Sequence, residues 1–325
     1  MDRRTFSIAA LAATAWAGAS PGRAFAQNRD LLVAEPGHSL GYLPLYAGIA
    51  NGFFRDEGLA VKVITVESGA GHTNLVLTGQ AFAFIGGPEH NAYAKAKGAE
   101  LRAVVNCVNR GNVYFTARTG LAPQGRQFDA LLRGKRIATG YYGGTPHSIT
   151  RYLFAQWKLD ARRDVTLIES TYGGIMAAVK TGNADAAVIP EPILTQGIRQ
   201  GIWQEPFFSI PQELGDYAYS CINVRKDSID RDPAQVAGFV RAMVKSLRYV
   251  RENREGALAV ARKEFPTMAA EDLTATLQRA YADQLWSSDG RISATALDTC
   301  LRVVRSAELL KTEVAYGDIV DMRFL

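Results

Sequence analysis

A chain of 325 residues, 47% hydrophobic and 21% charged, carries enough apolar side chains for sizeable cores and too many for intrinsic disorder. The formal charge of +5 drops to +3 when residues 1–26 are set aside, because Arg3, Arg4 and Arg23 leave together with Asp2. So small a surplus does not mark a nucleic-acid-binding protein, and the length allows two domains of ordinary size.

The first segment reads as an address, not as part of the fold. "MDRRTFSIAALAATAWAGASPGRAFAQ" places two arginines ahead of an apolar run from Ile8 to Ala17, then a Pro-Gly break and Ala24-Phe25-Ala26 as a small-x-small cleavage site. A run of ten residues is too short to span a bilayer, which takes roughly 20, so residues 1–26 are expected to be a cleaved export signal with the mature chain beginning near Gln27. Arg3-Arg4-Thr5-Phe6 resembles a twin-arginine signal, although Asp2 stands where that class has Ser and no Lys follows, so the general secretory route stays open. Either route leads out of the bacterial cytoplasm, to a periplasmic location.

In chain order, strand-like runs follow: "LLVAE" from Leu31, "VKVITVE" from Val61, "AFAFIGG" from Ala81, "LRAVVNCV" from Leu101, "VYFTAR" from Val113, "KRIATG" from Lys135, "VTLIES" from Val165 and "ADAAVIP" from Ala184. Helical stretches such as Pro44 to Arg55 and His147 to Trp157 lie between most of them, which predicts parallel sheets with helices on both faces. After about Lys226 the chain becomes helical. Asp232 is a predicted N-cap, Pro233 takes the first helical position, and Val236, Phe239, Val240, Met243, Val244, Leu247 and Val250 form an apolar stripe.

"TGQAFAFIGGPE" from Thr78 is echoed by "TGNADAAVIPEP" from Thr181. Other landmarks keep nearly the same register: Pro44 and Pro146, Glu67-Ser68 and Glu169-Ser170, and Pro88-Glu89 and Pro190-Glu191 are each 102 residues apart. That period is too long for a stacking solenoid unit and predicts two similar α/β domains. In such sheets ligands bind beyond the carboxyl ends of the strands, so the loops "EPGHSLGYLP", "ESGAGH" and "GGPEH" of one copy and "TGYYGGTPH", "ESTYGG" and "IPEP" of the other are the candidate site.

Catalytic and metal apparatus is not written here. The histidines are His38, His72, His90 and His147, without metal-binding spacing, and no nucleophile elbow or phosphate loop occurs. Cys107, Cys221 and Cys300 are isolated; three buried thiols are the preferred expectation, with one disulfide plus one thiol the alternative. None lies near the cleavage site, which argues against a lipid-anchored lipoprotein.

"PLYAGIANGFFRDEGLAVKV" (Pro44 onward), "AAVKTGNADAAVIPEP" (Ala177 to Pro192) and the ending "YGDIVDMRFL" resemble signatures of ABC-transporter substrate-binding proteins of the nitrate/sulfonate/taurine and thiamine-pyrimidine-precursor (NMT1-like) family. The resemblance runs from about Leu31 to Leu325. It implies an α/β fold of the two-lobed, clam-shell, type II periplasmic-binding-protein kind, each lobe a mostly parallel sheet with flanking helices. Lobe 1 would comprise residues 27–107 plus 221–325 and lobe 2 residues 108–220. The resemblance further implies a monomer that binds a small-molecule solute, partners an ABC permease in the inner membrane and needs neither catalysis nor a cofactor.

Candidate ligand contacts follow from the loops and the resemblance together. Gly144 and Thr145 stand at a helix start where backbone amides attract anions, with Thr145 the expected N-cap. Of Tyr141 and Tyr142, at least one is expected to line the cleft. His38, Ser39 and Tyr42 lie in the loop before the first helix, Ser68 and Gly69 open the second, and Tyr172 opens a later one. Glu89 and Glu191 are the acids of the echo; Glu191 has a structural reading, at a helix start, beside the binding one. Aromatic walls suit a small organic anion, sulfonate- or carboxylate-like with an apolar or aromatic part. Paired acids would favour the alternative, a thiamine-pyrimidine precursor. Two rival functions remain: precursor synthesis, against which the isolated cysteines argue because the fungal synthases carry a cysteine-rich motif, and a sensor whose ligand-closed form engages a receptor.

Overall fold

The computed structural model describes residues 30–121 and 123–325; the expected export signal lies outside them. All eight predicted strands form, as β1 (Leu31–Glu35), β2 (Val61–Thr65), β3 (Ala83–Gly86), β4 (Leu101–Val108), β5 (Tyr114–Ala117), β6 (Arg136–Thr139), β7 (Thr166–Glu169) and β8 (Ala186–Ile189). Two more were not anticipated, β9 (Phe208–Ser209) and β10 (Ser220–Arg225). The first is only two residues long. The second hides behind a polar core residue, Asn223, whose amide donates to the carbonyls of Gly86 (3.0 Å) and Cys221 (2.8 Å) and accepts from Asn91 (2.8 Å).

The strands form two five-stranded sheets, β2-β1-β3-β10-β4 and β7-β6-β8-β5-β9. In each sheet the second strand, β1 or β6, lies between two parallel neighbours, and the fourth, β10 or β5, runs antiparallel to the strands on either side. The sheets are therefore mixed, with one antiparallel strand in each, as the expectation of mostly parallel sheets allows. Each antiparallel strand follows a crossing: the chain leaves β4 for β5 of the other sheet, and returns from β9 to β10. Register repeats as well, since Leu31 pairs with Val61 and Arg136 with Thr166 at one thirty-residue spacing.

The repeated Thr-Gly has a local physical cause. Thr78 and Thr181 cap the helices Gly71–Leu77 and Tyr172–Lys180, each hydroxyl donating to the carbonyl four residues back at 2.9 Å. The glycines that follow, Gly79 and Gly182, take φ of 76° and 74°, a left-handed conformation that costs other residues more.

The helix Pro233–Glu252 is capped by Asp232, which accepts from the Gln235 amide at 2.9 Å. Its stripe is buried except for Val244, which is partly so. It packs on the helix Leu43–Ala50, where Gly48 offers no side chain and the Ser246 hydroxyl and the Phe54 ring occupy the space. The predicted helix Pro44 to Arg55 is broken in two at Gly52, with φ of 74°. Cys107, Cys221 and Cys300 are all buried and free.

Candidate functional site

A cleft opens where the carboxyl ends of both sheets meet. The first sheet contributes Pro36 after β1, Glu67, Ser68 and Gly69 after β2, and Gly86 and Gly87 at the end of β3, with His72 and His90 from the helices beyond. The second contributes Gly140, Tyr141, Gly144, Thr145 and Pro146 after β6 and Ser170, Thr171 and Tyr172 after β7; Tyr42 and Tyr219 complete the wall. The cleft is narrow, with a volume of about 50 Å³, room for a few water-sized groups.

The two sides repeat the same local chemistry. Ser68 accepts from the Gly71 amide at 2.6 Å and Thr171 from the Gly174 amide at 3.1 Å. Each hydroxyl thereby fixes the start of a helix and keeps its own hydrogen to donate. Burial, followed by the nearby Tyr172, holds the Tyr42 phenol well above its usual range; burial, then the charges of Glu67 and Glu35, does the same for Tyr172. Both therefore remain protonated donors. Among the described residues that line the cleft there is no Lys or Arg, and Glu67 is the carboxylate.

Seven of the residues proposed from sequence are brought together here: Tyr42, Ser68, Gly69, Tyr141, Gly144, Thr145 and Tyr172. Thr145 is the first residue of the helix Thr145–Gln156, not its N-cap, which is Gly144. Its hydroxyl instead donates across the cleft to Glu89 Oε1 at 2.5 Å. Gly69 meets the backbone of Tyr142 so closely that a Cβ there would collide with the Tyr142 carbonyl oxygen.

The other five stand elsewhere, each for an identifiable reason. His38 bonds Glu35 through Nδ1 (3.1 Å) and the Glu264 carbonyl through Nε2 (3.2 Å), and packs on Tyr46 and Phe265. Burial works to lower its pKa, but the bond to Glu35 and that residue's charge outweigh it and hold the imidazole above its ordinary value. Ser39 caps the turn Leu40–Tyr42 and donates to the Glu191 carbonyl at 3.3 Å. Glu89 is fully buried behind Thr145, with the Cys300 thiol donating to its other oxygen at 3.2 Å. Tyr142 is 60% exposed and is not among the residues that line the cleft. Glu191 is buried and held by Thr195 (2.7 Å) and Arg279 (2.9 Å); burial raises its pKa, against those bonds. Its structural reading is the one the geometry fits.

His72, His90 and the glycine pair Gly86-Gly87 fall within the candidate loops ESGAGH and GGPEH but were not singled out as contacts. Their signal was faint: two lone histidines near helix starts, and two glycines directly after a strand.

Residues 40–257 match the family model described as NMT1/THI5 like. YtlA of Bacillus subtilis (strain 168), whose name describes it as a binding protein, is 24% identical over 296 residues, covering 89% of this chain and 86% of YtlA. Among solved structures, the alkanesulfonate-binding protein SsuA from Xanthomonas axonopodis pv. citri bound to MOPS superposes with a TM-score of 0.73 at 17% identity, over 90% of this chain and 98% of SsuA. The periplasmic nitrate-binding protein NrtA from Synechocystis PCC 6803 gives 0.64 at 18% identity, over 76% and 69%. The fold is that of periplasmic binding proteins, as the repeated sheet order indicates. Among the described residues no helix is long and apolar enough to cross a membrane.

Proposed function

The chain belongs to the NMT1/THI5-like family, and from that premise we propose that it is the exported solute-binding component of an ABC importer. The family and the solved neighbours are substrate-binding proteins and not enzymes. One observation carries the reading: two sheets of identical strand order aim corresponding loops into a single cleft. On this reading the sheets mark two lobes, residues 27–107 plus 221–325 and residues 108–220, acting as a periplasmic monomer that hands its solute to a membrane permease.

The solute is a small organic molecule with an apolar or aromatic part, set among Tyr42, Tyr141, Tyr172 and Tyr219. A sulfonate- or carboxylate-like head would be held by the hydroxyls of Ser68, Ser170 and Thr171 without a cation. The presence of Glu67 and the lack of a lining cation favour a second reading, an amine-bearing heterocycle such as an aminopyrimidine. Because the cleft now has room for only a few water-sized groups, either solute requires the walls to part on entry and close around it. A receptor-coupled sensor would share that motion, and growth on the solute after permease deletion separates it from an importer.

The test is a melting screen of the mature protein against alkyl and aryl sulfonates, taurine, nitrate, aromatic carboxylates and aminopyrimidines. A ligand at a hundred times its Kd adds about 2.7 kcal/mol, which raises Tm by roughly several degrees. A shift confined to one class identifies the solute's chemistry, and no shift with any class refutes both readings of the ligand.

A further inference from the structure

His72 stands at the base of the cleft, 1% exposed, with neither ring nitrogen hydrogen-bonded within the protein. Its imidazole is fixed edge-on between Phe84 (ring centroids 5.1 Å apart) and His90 (4.7 Å). Gly86 lines the same floor, and a Cβ on it would come within 3.1 Å of His72 Nε2. The glycine thus leaves that edge of the ring uncovered toward the cleft. A buried polar group without a partner is destabilising, so a rigid imidazole left in this condition is a cost that a binding role explains.

We propose that His72 fixes solute specificity, donating its ring N–H to an acceptor oxygen or nitrogen of the solute at the cleft floor. The inference rests on the reading of this cleft as the solute site. Burial, with a smaller contribution from His90, holds His72 well below the ordinary histidine range. It therefore acts as a neutral donor at pH 7, in keeping with a lining that offers no cation. A neutral donor at the floor recognises where an acceptor sits on the solute, which a diffuse positive charge would not.

The experiment compares wild type, His72→Leu and His72→Gln in ligand-free melting and in calorimetric titration with benzenesulfonate and with 4-aminopyrimidine. Removing an unpaired polar group is expected to raise the ligand-free Tm of His72→Leu by about 2–4 °C. A probe that binds wild type is expected to bind His72→Leu at least about tenfold more weakly, with His72→Gln recovering part of the loss. Unchanged affinity in His72→Leu, a Tm at or below wild type, or a variant that fails to fold overturns the inference and leaves the solute-binding reading standing. If neither probe binds wild type while the Tm of His72→Leu rises, the two proposed ligand classes fall and the assignment to His72 gains support; with no rise, both are rejected.

Discussion

Thr145 Oγ1 donates to Glu89 Oε1 at 2.5 Å, joining the helix that follows β6 to the helix that follows β3. Glu89 has no exposed surface, so Thr145→Val removes a donor from a buried carboxyl group. The expected loss is about 1–3 kcal/mol, a Tm lower by several degrees, with Thr145→Ser close to wild type. Calorimetry of the ligand-free proteins checks this. Equal melting of wild type and Thr145→Val would show that the bond contributes nothing across the cleft.

Two tyrosines give a sharper test of which ring meets the solute. Tyr172 lines the cleft and lies against Gly37, where a Cβ would come within 2.9 Å of its ring, whereas Tyr142 faces solvent. Tyr172→Ala is expected to weaken binding of the solute found in the melting screen by about tenfold or more, as lost aromatic contact area predicts. Tyr142→Ala should stay within about twofold. The reverse order in titration calorimetry would move the solute out of this cleft.

Gly69 and the Tyr142 carbonyl approach too closely for any side chain at position 69. Valine there is expected to hold the walls apart without disturbing either sheet, since the clash lies between loops of the two sheets and not within a core. Solute affinity should fall by about a hundredfold, the cost of losing contacts on one wall, while Tm changes by only a degree or two. Small-angle scattering should show a larger radius of gyration than wild type with solute bound; an unchanged radius together with full affinity would refute the closure geometry.

Eight of the ten strands were legible in sequence because each is a short apolar run bounded by turn residues, and the repeat because Thr78-Gly79 and Thr181-Gly182 are one helix-capping device used twice. The loops forming the cleft were legible for the same reason: in an α/β sheet they follow the strand ends. Individual side chains were not. Glu191 is taken up by Arg279, 88 positions later, and His38 by Phe265 and the Glu264 carbonyl in the distal tail. Such long-range partners leave no local periodicity. Tyr141 and Tyr142 are distinguished by their placement, Tyr141 lining the cleft and Tyr142 60% exposed, not by their own identity. His72 lay in a candidate loop but was not singled out, because its unpartnered ring nitrogens and its packing on Phe84 and His90 are tertiary features.

The pH dependence of stability follows from those buried rings. His72 and His90 are held below the ordinary histidine value, chiefly by burial, and His147 likewise. Between the unfolded value of about 6.5 and the lowered folded one, the unfolded chain binds more protons, so stability is lost as pH falls below about 6.5. His38, raised instead, has the opposite sign: its contribution is complete below about 6.5 and disappears as pH rises through its folded pKa, but the ring is half exposed and solvent screening keeps the contribution small. Replacing His72 removes one of the acid-sensitive groups. Urea unfolding of wild type and His72→Leu from pH 7 to pH 5 should therefore show the difference growing in favour of the variant, by up to about 1.4 kcal/mol per pH unit below 6.5. A difference that stays constant with pH would mean that His72 titrates alike in the folded and unfolded chains, and that its ring is not held neutral by burial at the cleft floor.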